Sequence, residues 1–217
     1  SNPTGKTYSD TAVKRFSMLP KISGNNFRIM WDNAYAVHHL SDAPDQLANL
    51  MALARHHDTN DSMVLFGSTS KVTFAGAGIS FLGTSQEKLG EFEQHLSETM
   101  IGFDKVNQLR HVLFLKDMSG IARHMARHAA LLKPRFALTE KILSKYLDGK
   151  RIGEWSRPNG GYFVSFDAIP GQAKEIITLA ANVGVRLTPA GATFPYGIDP
   201  QDRNIRLAEA MKDKLDA

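Results

Sequence analysis

The sequence predicts a layered α/β domain followed by a smaller α+β domain, and three observations predict it. Short apolar runs alternate with helix-like segments as far as Gly83. A long helical region then extends from Ser85. Strand-like segments return after Gly149. Alternation of the first kind argues for parallel pairing with helices between strands, whereas the later mixture argues for a separate α+β unit.

The elements are justified in order. Thr7-Tyr8-Ser9-Asp10 supplies capping side chains for a helix that ends near Pro20. In "NFRIMWDNAY" an apolar run stops at Asp32, which predicts a strand with polar residues at its carboxyl end. Leu47, Leu50, Met51 and Ala54 recur at helical spacing in "DQLANLMALARHH", with Asp42 or Asp45 as the expected cap. "SMVLFG" is the next strand, and "GISFLGT" is another beyond a loop that holds Lys71. Helices are expected in "EKLGEFEQHLSETMI", "DKVNQLRHVLFL" and "GIARHMARHAALLKPRFALTEKILSKYL", Pro134 notwithstanding. Strands are expected in "GEWSRP", "GGYFVSF", "VRLTP" and "NIRLA", with a helix in "GQAKEIITLAANVG" and helix-like sequence after "NIRLA". The opening "SNPTGKTYSD" enters on a turn-rich loop, as if the chain were joined partway through a fold, which points either to truncation or to residues absent from this sequence.

Composition bounds the function. With 217 residues, 42% hydrophobic and 22% charged, the chain is globular in character. A net charge of +4, spread along the sequence, gives little support to a nucleic-acid or membrane partner. The absence of cysteine removes disulfides, thiolate metal sites and cysteine nucleophiles. No apolar run approaches the roughly 18 residues of a membrane span, and a cytoplasmic protein is expected.

Lys71 is the residue that most needs an explanation. It follows an apolar run, Met63 to Phe66, and a small polar cluster, Gly67 to Ser70; glycines and apolar residues continue after it. That context points to an interior lysine, which loses its proton readily and becomes a nucleophile. A surface loop between a strand and a turn is the other placement open to it. A phosphate loop is excluded because Ser70 precedes the lysine and Val72 follows it, and a dinucleotide fingerprint fails because Phe81 stands where the third glycine belongs. His124 and His128 are four apart without a carboxylate between them, so a solvated basic helix face is expected in place of a metal site. His38-His39 and His56-His57 fall near element ends, where capping or exposure is expected.

Asp32 at one strand end, Tyr35 three residues on, Lys71 at a neighbouring strand end and Arg206 in "NIRLA" form a set with one natural chemistry. Pyridoxal phosphate needs a lysine for its Schiff base and a carboxylate at its ring nitrogen. An amino-acid substrate is gripped well by an arginine.

The motifs "SNPTG", "DNAY", "STSK" and "NIRLA" occur in the order and approximate spacing of the fold-type I, class I aminotransferases. "DKVNQLRHVLFLKD", "RPNGGYFVSFD" and "AGATFPYGIDPQDRNIR" resemble the bacterial aspartate aminotransferase-like subgroup. The resemblance covers nearly the whole chain but only the C-terminal half of such an enzyme. It implies that residues 1–115 are the C-terminal part of a large cofactor-binding domain, and that 116–217 are a long linking helix and a small domain. Lys71 would form the Schiff base and shuttle the substrate proton, and Asp32 would pair with the ring nitrogen. Tyr35 and Asn2 would bond the phenolate oxygen, and Ser68, assisted by Ser70, would hold the phosphate. Arg206 would bind the substrate carboxylate, with Asn159 nearby. Amino-acid and 2-oxo-acid substrates, with aspartate and 2-oxoglutarate as the pair the resemblance suggests, and a homodimer are implied as well. The arginine that most relatives carry about eight residues after the lysine is replaced here by Ile79. A lyase or decarboxylase on the same constellation, and an effector domain of a transcription regulator, are the alternatives.

Overall fold

The computed structural model describes residues 2–208. They group into two compact units. The first comprises Tyr8–Val37 and Gln46–Met125; the second comprises the described parts of Ser1–Thr7, His38–Asp45 and Ala126–Ala217.

In the first unit, helix α1 (Asp10–Met18) begins where Ser9 Oγ accepts a hydrogen bond from the Ala12 amide at 3.3 Å, and Asp10 complements the positive end of the helix. Val13 and Ser17, four residues apart, form its buried face. Strands β1 (Ile29–Asp32) and β2 (Met63–Ser68) run parallel, with Ile29 opposite Met63 and Asp32 opposite Phe66. Helix α2 (Leu50–His56) lies in the connection between them, as parallel pairing requires. Val13, Leu50, Ala54 and Met63 form the core, edged by Phe16, Ile29, Trp31 and Leu65. Burying a side chain of Leu50's size contributes about 2 kcal/mol, so this cluster holds the first residues of β1 and β2 against α1 and α2.

Two expectations change here. Helix α2 starts at Leu50, capped by Asn49, whose side chain accepts from the Ala52 amide at 3.0 Å. Asp42 and Asp45 do not cap it: Asp42 pairs with Lys133 at 2.7 Å and Asp45 accepts from Asn159 at 3.0 Å, both within the second unit. Strand β3 (Ser80–Gly83) pairs antiparallel to β2, Ser68 opposite Ser80, because the loop after Ser68 turns straight back and holds no crossover helix. Helices α3 (Gln86–Thr99), α4 (Lys105–Leu115) and α5 (Met118–Leu147) follow, the last running through Pro134.

The second unit holds an antiparallel sheet in the order β4 (Gly153–Trp155), β5 (Phe163–Ala168), β6 (Asn204–Ala208). Helix α6 (Ala173–Asn182) covers it, and Phe166, Ala168, Ala173 and Ile205 form its core with Leu143, Leu147, Ile176 and Leu187. The expected strand "VRLTP" is not one. Residues 185–189 join no ladder; Leu187 turns to the core and Thr188 to Arg206. The helix-like sequence after "NIRLA" lies outside the described residues. No helix among the described residues is long and apolar enough to cross a membrane.

Candidate active site

The first unit presents its polar residues where two parallel strands end. Asp32 closes β1 and is exposed, its Oδ1 accepting from the Ala34 amide at 3.0 Å. The turn that this bond shapes carries Tyr35, which is half-buried. The Asn33 amide donates to Phe66 O at 2.9 Å, so β1 stays tied to β2 one residue past the aspartate.

Beyond β2 the chain makes a tight turn. The amides of Val72 and Thr73 both donate to the Thr69 carbonyl at 2.8 Å, and Lys71 sits between Ser70 and the buried Val72. Lys71 itself is exposed, so the interior placement is corrected. The physical reason is that the apolar run ends with β2. Val72, packed with Leu115 and Met125, continues into the core, while Lys71 beside it remains exposed.

Ser68 and Ser70 meet in this turn: Ser68 Oγ donates to Ser70 Oγ at 2.9 Å and accepts from the Ser70 amide at 3.0 Å. Ile79 closes the loop from the far side, its amide 2.7 Å from Thr69 Oγ1 and its carbonyl 2.8 Å from the Thr69 amide. Gly78 is obligatory for this closure. A Cβ there would stand 2.6 Å from both the amide nitrogen and the hydroxyl of Ser70. The result is a turn that gathers two hydroxyls, Ser68 and Ser70, beside a lysine, with the Thr69, Ser70, Val72, Thr73 and Ile79 amides already bonded inside the loop.

The second unit contributes a different cluster. Arg206 on β6 stands opposite Ser165, its guanidinium 4.6 Å from the centroid of the Phe163 ring. Its Nη1 donates to Asn2 Oδ1 at 2.9 Å, and Nε and Nη2 each approach Thr188 Oγ1 at 3.4 Å. Asn2 and Arg206 are thus brought together. Asn159 sits in the turn before β5, its carbonyl accepting from Leu40 at 2.8 Å and its side chain donating to Asp45. Gly160 lets that turn press on the chain: a Cβ there would be 2.5 Å from His38 O.

Beside Arg206 the loop into β6 is organised by Asp199. Burial works to raise its carboxyl, but the Asn204, Arg203, Gln201 and Asp202 amides outweigh burial and hold it below the ordinary aspartate value. Asn204 then bonds Ser165 Oγ at 2.9 Å and Asp167 Oδ1 at 2.8 Å, which fixes the register next to the arginine.

The histidines are placed otherwise than expected. His124 is half-buried with Nε2 2.7 Å from Val72 O, so it is not on a solvated face, whereas Arg123 and Arg127 are exposed. His38 is buried, against the Tyr162 ring. His57 ends α2, held below its ordinary value by burial and then by the positive charge of His56, Lys21 and Lys14. Among the described residues no three His, Asp or Glu side chains are grouped to hold a metal ion.

The sequence carries no local signal for Thr188, Phe163 or Thr69, whereas Gly76 and Gly78 read as positions of close backbone approach or unusual dihedrals, and Gly78 is a close approach.

The model of the family described as aspartate amino-transferase matches residues 1–215. A Mycolicibacterium smegmatis relative, named provisionally as an aminotransferase, is 47% identical over 208 residues, 96% of this chain and 48% of the relative. The crystal structure of an aspartate transaminase from Corynebacterium glutamicum superposes with a TM-score of 0.93 at 39% identity, covering 98% of this chain and 50% of that one. The α-aminoadipate aminotransferase of Thermus thermophilus, solved with N-(5'-phosphopyridoxyl)-L-leucine, shares the fold at a TM-score of 0.78 and 23% identity, over 98% of this chain and 52% of that one. The chain spans about half the length of the curated relatives it matches. On this family match the chain belongs to the aspartate amino-transferase family.

Proposed function

We propose that the full-length protein is a pyridoxal-phosphate-dependent aminotransferase that moves an amino group between an amino acid and a 2-oxo acid. Aspartate is the proposed donor, after the Corynebacterium relatives' names. The observation that carries the reading is that Asp32 and Lys71 lie at the carboxyl ends of β1 and β2, neighbours in one parallel pair. Ligands of open α/β sheets collect there. The phosphopyridoxyl ligand of the Thermus structure supports the choice of cofactor.

When bound, pyridoxal phosphate supplies the electron sink for breaking a bond at the substrate α-carbon. Lys71 would hold the cofactor through its amine and afterwards move the proton at the α-carbon. Asp32 would keep the ring nitrogen protonated, and the Tyr35 hydroxyl and Asn2 carboxamide would donate to the phenolate oxygen. Ser68, assisted by Ser70, would bind the phosphate through its hydroxyl, in place of the arginine that Ile79 replaces. Arg206 would grip the substrate carboxylate bidentately, with Asn159 lining the approach. Residues 1–115 are then the C-terminal part of the large cofactor domain, and 116–217 the linking helix and small domain. A cytoplasmic homodimer completes the proposal, on family resemblance.

The test is borohydride reduction of the full-length protein loaded with pyridoxal phosphate, peptide mapping of the adduct, and product analysis with aspartate and 2-oxoglutarate. The adduct is expected on Lys71, with glutamate formed and both lost in Lys71→Ala. An adduct elsewhere would sink the assignment. Release of ammonia or carbon dioxide without amino transfer would replace the transferase with a lyase or decarboxylase.

A further inference from the structure

Two histidines from different helices meet the turn that carries Lys71. His124 on α5 places Nε2 2.7 Å from the Val72 carbonyl. His111 on α4, only 5% exposed, places Nε2 2.8 Å from Thr73 Oγ1 and Nδ1 2.8 Å from Asn107 O. Val72 and Thr73 are the two residues directly after the lysine. We propose that His111 and His124 are positioning residues that fix the backbone root of Lys71, through Thr73 and Val72 respectively. This deepens the reading above and rests on it.

The chemistry of the contacts makes the tether robust. A carbonyl only accepts, so His124 Nε2 and His111 Nδ1 both carry hydrogen. The neutral His111 ring then accepts the Thr73 hydroxyl proton at Nε2. Thr73 Oγ1 also lies 3.2 Å from the Thr69 carbonyl. When His111 is charged, Nε2–H donates to Thr73 Oγ1 and the hydroxyl proton turns to Thr69. The turn is held in either state.

Packing supports the same assignment. Val72 is 4% exposed among Leu115, Met125, Val37 and Ile121, and His124 stands edge-on to Phe114 with ring centroids 5.1 Å apart. An exposed, many-jointed lysine gains reach from its side chain and precision from a fixed root. Misplacing a reacting group by an ångström costs on the order of a hundredfold in rate.

Thr73→Val in the full-length protein is the decisive variant, because it preserves shape and removes only the hydroxyl; Thr73→Ser restores it. His124→Ala and His124→Gln form the second pair, since the glutamine amide can still donate to Val72. Four readouts apply: borohydride-trapped adduct on Lys71, the pH midpoint of the lysine-bound cofactor's absorption band, kcat against KM, and urea unfolding. Thr73→Val and His124→Ala are expected to shift that midpoint and lower kcat about tenfold, with KM for the amino donor within about twofold. Thr73→Ser and His124→Gln are expected to recover most of both. A wild-type absorption midpoint and kcat in Thr73→Val, with only the urea midpoint moved, would overturn the proposal. If His124→Ala does not fold, the near-isosteric Thr73 pair decides. If the wild type gives no adduct on Lys71, the functional reading has failed separately. The rate of Lys71 acylation in cofactor-free protein, followed by mass spectrometry, then tests the tether: a change in Thr73→Val supports it and no change overturns it.

Discussion

Arg206 lies over the ring of Phe163, its guanidinium carbon 4.6 Å from the centroid, and the strand register explains why. Arg206 faces Ser165 across the β5·β6 ladder, which makes Phe163 its diagonal neighbour on the same face. A stacked guanidinium with Asn2 and Thr188 at its edges is oriented by its own unit.

Lysine cannot reproduce that orientation, because it has neither the plane that stacks nor the fork that binds a carboxylate at two points. If the proposed function holds, Arg206→Lys in the full-length protein is expected to raise KM for the amino donor by about ten- to a hundredfold, with kcat affected less. Steady-state kinetics checks this. An unchanged KM would remove Arg206 from substrate recognition.

The strand ends that carry the candidate site were legible in the sequence where local pattern and chemistry coincide. The apolar run ending at Phe66 and the small residues after it identified β2 and its turn, and the run ending at Asp32 identified β1. What stayed hidden depends on partners far along the chain. Asp45 and Asn49 are equally good helix caps in isolation, and only the bond from Asn159 assigns Asp45 elsewhere. The orientation of His124 follows from a carbonyl 52 residues away. "VRLTP" has the composition of a strand, and its lack of a ladder is a tertiary fact.

Gly78 and Gly90 make a matched pair of alanine substitutions. A Cβ at Gly78 would meet Ser70 backbone at 2.6 Å, whereas nothing lies within 4 Å of one at Gly90, which is inside α3. Gly78→Ala is expected to destabilise by about 1–3 kcal/mol and to disturb the Ser68–Ser70 turn. Gly90→Ala is expected to stabilise by roughly 0.5–1 kcal/mol through helix propensity. Urea unfolding checks both. Equal effects would mean that the close approach at Gly78 is relaxed at no cost.

Gly160→Ala probes the other unit in the same way. Its Cβ would strike the His38 carbonyl, which already accepts from the Gly161 amide at 2.8 Å. A loss of about 1–3 kcal/mol is expected, together with displacement of the Asn159 carbonyl from Leu40. Amide hydrogen exchange at Leu40 reports that displacement, and protection equal to wild type would refute it.

Glu140 sets an acid limit on the second unit. Burial raises its carboxyl, but hydrogen bonds from Arg157, Trp155 and Ser144 outweigh burial and hold it below its ordinary 4.5. The Trp155 indole donates at 2.7 Å and the Arg157 Nε at 2.7 Å, with the guanidinium 5.3 Å from the Trp155 ring centroid. A carboxyl whose folded value is depressed contributes its stability above the unfolded value and loses it as pH falls through the folded one. The contribution is therefore complete above the ordinary glutamate value and disappears progressively below it. Glu140→Gln removes the charge while keeping an acceptor for one donor. The glutamate side chain remains 37% exposed, so solvent screening keeps the loss at neutral pH to about 1 kcal/mol. Urea midpoints measured from pH 7 down to about pH 3 should converge for the two proteins as the glutamate takes up its proton. A difference that stayed constant over that range would show that the network stabilises by packing and not by charge.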